Sequence, residues 1–280
     1  MLRFARMVAL ACVCLPVTDS SAAPHASCLQ RSLHELQQRA PDGYAIYTAI
    51  PDKKFFLQWI TCDNIQVDLA TAVHESVHNL TENRDAYPLI DGSAVKRPHE
   101  VSRFVAPAII AKSFDRGRSL FDSRSLLVST YLRRGSASSA DDFLYLLDEL
   151  NAYSHDLHTA VALNALHDAN EGIGERDGLA AMMAFVAVYA ATAEESQPAT
   201  WAGLQKPEVA DAISKLWTQA ERTIIDSCGI PNLGQEDQYF IAKLCAEKPQ
   251  SSLQKILGRS PLCPRTCMQP KEKSVDASPN

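Results

Sequence analysis

The sequence predicts an α+β fold that is mostly α-helical and carries one small β-hairpin. Three observations predict it. Apolar residues recur at one-turn spacing in several segments from Ile65 onward. The run Leu179 to Ala193 is almost wholly apolar, which suits a core helix. Residues that favour extended chain gather convincingly only between Gly43 and Thr61.

Taken in order, the first 23 residues read as a signal peptide. Arg3 and Arg6 precede the apolar run Met7 to Val17, and Ser20, Ser21, Ala22 and Ala23 offer a cleavage site after Ala22 or Ala23. Ser32 to Arg39 reads as a short helix. Gly43 to Ile50 and Lys54 to Thr61 flank Pro51-Asp52-Lys53, a hairpin signal. Ile65, Leu69, Val73, Val77 and Leu80 form one buried helical stripe, capped at Asp63 or Asn64 and fraying at Asn83. Pro88, Gly92 and Pro98 make 84–103 a loop. Helices follow over 104–114, 119–134 and 140–165, the last capped by Ser138 or Ser139. After a Gly-rich turn, Leu179 to Ala193 forms a core helix too short to cross a bilayer. Helices over 207–226 and 235–246 complete a single domain spanning 24–267, and 268–280 reads as a disordered tail.

Charge and cysteine content narrow the class. The chain of 280 residues has a formal charge of -6, which becomes -7 when Arg3, Arg6 and Asp19 leave with the leader. A mildly acidic chain without a basic stripe has no electrostatic reason to seek nucleic acid. Without Cys12 and Cys14, an even set remains at Cys28, Cys62, Cys228, Cys245, Cys263 and Cys267. In an exported chain such a set reads as disulfides. Local closure favours Cys28–Cys62, Cys228–Cys245 and Cys263–Cys267. These features predict a periplasmic or secreted protein.

The motif that carries chemistry is His74-Glu75-Ser76-Val77-His78. Residues four apart share a helical face, so both imidazoles can address one ion. Glu75 lies about 100° round the helix, beside the ligand row, where it can take a proton from an activated water. Chance would produce this pattern about 0.01 times in a chain with this histidine content. The competing reading leaves both histidines as satisfied core or surface residues.

These residues resemble the zincin metallopeptidases, whose signature is the H-E-x-x-H helix. Metzincins would place glycine and histidine where this chain has Thr81 and Arg84, which excludes that subclass. The segment Glu149-Leu150-Asn151-Ala152-Tyr153 is similar to the third-ligand pattern of the gluzincins. The resemblance spans Lys54 to Leu157 and implies one zinc ion per chain on His74, His78 and Glu149. It further implies Glu75 as general base, a peptide or protein substrate, and a substrate-pairing strand at Lys54 to Thr61. Tyr153, His155 or His158 would donate to the oxyanion. Read from the residues alone, Glu149 sits on an apolar face, where an unpaired carboxylate is costly; a salt bridge to Arg133 or Arg134 is the alternative partner. An aspartate usually stands one turn after the glutamate to orient a ligand histidine, and Tyr153 occupies that place, leaving Asp148, Asn151 and Asp156 as candidates. The function expected is exported, zinc-dependent peptide-bond hydrolysis. The alternative is a non-catalytic exported binding or scaffold protein that keeps a zincin-like metal helix.

Overall fold

The computed structural model describes residues 22–114, 125–135, 139–168 and 171–268. The expected signal peptide up to residue 21 and the expected tail from 269 therefore lie outside the described residues, as do Ser138 and residues 119–124 of the helix expected over 119–134. Helices dominate: α1 (Ala22–Arg39), α2 (Pro41–Ala49), α3 (Lys53–Leu57), α4 (Ile65–Arg84), α5 (Leu126–Leu132), α6 (Phe143–Ala162), α7 (Glu175–Ser196), α8 (Pro198–Leu204), α9 (Pro207–Ser227), α10 (Asp237–Leu244) and α11 (Glu247–Leu257). Short 3-10 turns link several of them. The only sheet among the described residues is a two-stranded antiparallel hairpin, β1 (Ala86–Pro88) and β2 (Ala94–Lys96), with Tyr87 opposite Val95.

The hairpin is not where the sequence predicts it. Residues 43–49 and 53–57 are helical, in α2 and α3, and no strand, substrate-pairing or otherwise, stands at Lys54 to Thr61; two side chains explain why. The Lys53 ammonium donates to the carbonyls of Tyr47 at 2.5 Å, Thr48 at 2.8 Å and Ile50 at 2.8 Å, satisfying the open end of α2. The Asp52 carboxylate accepts from the Lys54 amide at 2.9 Å and starts α3. Thus Pro51-Asp52-Lys53 is a helix–helix corner, and the aromatics pack as helix faces, with Phe56 buried edge-on to Tyr47. The true hairpin falls in the segment expected to be loop, at strands too short to show alternation. It lies against α4, the helix of the motif.

Other boundaries shift for local reasons. Asn64 caps α4 by accepting from the Val67 amide at 3.2 Å, and Asp85 ends it in the left-handed region at φ 50. Asp142, not a serine, caps α6 by accepting from Leu144 at 2.8 Å. Helix α1 is longer than expected, whereas α8 and α11 were not anticipated. The segment expected to be helical over 104–114 is 3-10 from Pro107 to Phe114.

Helix α7 is the central pillar. It is long and apolar enough to cross a membrane by length and composition, contrary to the sequence expectation, but 89% of its apolar window is buried inside the fold. The α5, α6, α9, α10 and α11 helices pack around it. A second core joins α1–α4 to α6 through Leu36, Phe56, Leu69, Val73, Val77 and Ala152. Arg176 ties α7 to its neighbours by pairing with Asp237 at 2.6 Å and donating to the Ser227 carbonyl at 2.6 Å.

Three disulfides are present among the described residues, a pattern common in exported proteins. Cys28–Cys62 is as expected. The other two pairs are exchanged: Cys228 joins Cys267, and Cys245 joins Cys263. Cys228 and Cys245 follow the ends of α9 and α10, and the C-terminal segment runs past both. Each cysteine of that segment is therefore stapled to a helix end, rather than to its near neighbour across Pro264.

Candidate metal centre

Helices α4 and α6 run antiparallel and make the most extensive helix–helix contact among the described residues, with His78 opposite Asp148 and His74 opposite Asp156. The stripe of Leu69, Val73, Val77 and Leu80 is fully buried. That fixes the rotation of α4 and turns His74, Glu75 and His78 along the seam with α6.

The seam brings the three expected ligands together. His74 Nε2 and His78 Nε2 are 3.1 Å apart, and Glu149 Oε2 lies 3.6 Å from the first and 3.5 Å from the second. The group can hold a metal ion, all three ligand atoms lying within 4.8 Å of one another. Tetrahedral bonds of about 2.0–2.1 Å would set ligand atoms about 3.3–3.4 Å apart. The observed spacings bracket that value. Glu149 Oε2 is buried and has no hydrogen-bond partner, an arrangement that is costly unless a cation completes it. The anticipated alternative, a salt bridge from Glu149 to Arg133 or Arg134, does not form; Arg134 faces Asp141 at 3.6 Å.

The electrostatics point the same way. Burial alone would depress His74, but its contacts with Asp156 and Glu149 outweigh this and hold it up at about 9. Burial likewise opposes the charge on His78, and Asp148 with Glu149 overrides it, to about 10. Burial would raise Glu149, yet the two imidazoles bring it down to about 2. The acids thus create a site of negative potential that recruits positive charge to both ligand nitrogens.

The orienting carboxylates are also on α6. Asp148 Oδ2 lies 2.8 Å from His78 Nδ1, which holds a proton on Nδ1, so that Nε2 is the nitrogen that would give up its proton to a metal ion. Asp156 Oδ2 approaches His74 Nδ1 at 3.5 Å, an ion-pair contact. The third candidate, Asn151, faces away and donates to the Pro88 carbonyl at 3.0 Å. Two acids that flank Glu149 by one residue before and seven after thus replace the single aspartate expected one turn on.

Glu75 is half-buried beside His74 and has no hydrogen-bond or ion-pair partner among the described residues. Tyr153 stands edge-on to the His74 ring at 4.5 Å. Its hydroxyl is 2.9 Å from that of Tyr131, a residue the sequence reading did not single out. Only its place in an aromatic-containing helix, the pattern of any core residue, marked it. His155 is a different case. It is 2% exposed, and its Nε2 meets the Pro88 carbonyl at 3.0 Å, on the side where Asn151 also points. Burial pushes it down to about 4 despite that bond. A neutral ring whose single proton is held by a carbonyl has none left for an oxyanion; His155 buttresses the hairpin against α6. His158 pairs with Asp42 at 3.1 Å.

No protein-family model matches this chain, and neither a curated protein nor a solved structure matches it.

Proposed function

We propose that this chain is an exported, gluzincin-like zinc metallopeptidase that hydrolyses peptide bonds with one zinc ion on His74, His78 and Glu149. The observation that supports it most is the spacing of the three ligand atoms, 3.1–3.6 Å, around a buried carboxylate oxygen without a hydrogen-bond partner. Two histidines and one glutamate are a donor set that suits zinc and leaves a coordination position open.

Bound there, zinc supplies Lewis acidity and lowers the pKa of water. The remaining roles belong to this chain. Glu75, adjacent to the ligand row and unpaired, accepts a proton from the attacking water and returns it to the leaving nitrogen. Asp148 holds the His78 tautomer, and Asp156 steadies His74 from its far side. A phenol donor at Tyr153, beside His74, stabilises the oxyanion that develops on the scissile carbonyl. The three disulfides and the leader-like start of the sequence favour action in the periplasm or outside the cell.

The test is metal content together with cleavage. Protein purified without chelator should contain one zinc per chain and cleave a mixed peptide library, and both properties should vanish with a strong chelator. Protein that holds no metal and cleaves nothing belongs instead to the non-catalytic exported binding or scaffold class.

A further inference from the structure

Tyr131 belongs to neither ligand helix, yet its position on α5 brings it to the same site. It is 8% exposed, and its hydroxyl lies 2.9 Å from the Tyr153 hydroxyl, with the two rings edge-on at 6.1 Å. Neither hydroxyl has another hydrogen-bond partner among the described residues. Two phenols carry two protons, and their mutual bond uses one. Tyr131 is buried and Tyr153 only half-buried, so a spare proton left on Tyr131 would be the costly one, and Tyr131 spends its proton on Tyr153.

The surroundings limit where the Tyr153 proton can go. Behind Tyr153 stands Gly178 of α7. A Cβ there would come within 2.1 Å of Tyr153 Cε1 and 2.3 Å of Cδ1. The ring is therefore walled on one side by backbone, faces His74 at 4.5 Å, and is held at its tip by Tyr131.

We propose that Tyr131 is a positioning residue for Tyr153: it donates to the Tyr153 hydroxyl, so that the Tyr153 proton is left for an anionic oxygen presented beside His74 and Glu149. The inference rests on the hydrolase reading above and assigns the geometry of its oxyanion donor. A phenol that has accepted one hydrogen bond is also a stronger donor of its own proton. Tyr131 thus acts through Tyr153 and touches no reacting atom.

The experiment uses the full chain loaded with cobalt(II), whose visible spectrum reports what reaches the metal, titrated with acetohydroxamate as the anionic-oxygen probe. Tyr131→Phe should retain one cobalt per chain and an unchanged melting temperature while weakening the probe about tenfold. Tyr153→Phe should weaken it to a similar extent. The double variant should lose little more than either single one, the signature of two groups acting as a unit. Unchanged probe affinity in Tyr131→Phe, or losses that simply add, overturn the positioning role. Wild-type protein that takes up no cobalt overturns the metal-centre reading itself, and this inference with it. Normal cobalt uptake with unaltered probe binding in Tyr131→Phe sinks this inference alone.

Discussion

His78 Nδ1 meets Asp148 Oδ2 at 2.8 Å, and Asp148 is the residue immediately before the third ligand, Glu149. One turn of α6 therefore carries both a ligand and the group that orients another ligand. Asp148 is buried, and its second oxygen has no partner, so the hydrogen bond to His78 is the interaction that holds it. Asp148→Ala should leave the fold in place but free the His78 ring to rotate. Metal affinity should fall about 10–100-fold, measured by competition against a chromophoric chelator. Unchanged affinity would show that helix packing alone orients His78.

The roles of Glu75 and Glu149 separate cleanly. Glu75 is near the ligand row but has no partner, so Glu75→Gln should keep one metal per chain and lose turnover by a factor of about 100 or more. Glu149→Gln removes a ligand charge and should release metal as well as activity. Equal metal loss in both variants would place Glu75 among the ligands and remove it as the base.

How much of this was legible in the sequence depends on whether the deciding interaction was local. The His74–His78 pair shows in five consecutive residues because one helical turn fixes their common face. Glu149 could be picked out because a carboxylate on the apolar face of a helix needs a cation, a constraint that survives ignorance of the fold. The Pro51-Asp52-Lys53 corner was misread because strand-favouring side chains outweighed two capping interactions. One of these, from Lys53 to the end of α2, exists only once the helix has formed. The hairpin at Tyr87 and Val95 was missed because three-residue strands carry no periodicity; its stability comes from burial against α4 and α6. Tyr131 and the crossed pairs Cys228–Cys267 and Cys245–Cys263 depend on how distant segments pack, and no local pattern encodes that.

Gly178 gives the packing test. Its missing Cβ leaves room for the Tyr153 ring, and α7 backbone cannot retreat from a fully buried core. Gly178→Ala should cost about 1–3 kcal/mol of unfolding free energy through overpacking, read by chemical denaturation. It should also displace the phenol and impair turnover. Combining it with Tyr153→Ala should recover part of the stability, because the two changes relieve one clash. A Gly178→Ala protein as stable and as active as the parent would show that the Tyr153 ring is free to move aside.

His155 supplies the pH test, with a sign that can be worked out beforehand. Its native pKa is about 4 against an ordinary value of 6.5, because burial disfavours the charged ring more than the Pro88 carbonyl favours it. As pH falls through 6.5 the unfolded chain takes up a proton at this residue, whereas the native chain does so only near 4. Between those values the unfolded state binds more protons, so native stability declines as acidity increases. The gap corresponds to about 3 kcal/mol, full stability being present above 6.5 and the loss complete near 4. Other groups titrate in the same window, including the ligand set, so the measurement must be differential. His155→Gln keeps an N–H donor for Pro88 and does not titrate. The stability advantage of wild type over His155→Gln should therefore shrink by about 3 kcal/mol between pH 7 and pH 4 in denaturant titrations. A difference that stays constant over that range would mean the native imidazole takes up its proton in step with the unfolded chain, near its ordinary value, and would return His155 to the pool of possible oxyanion donors.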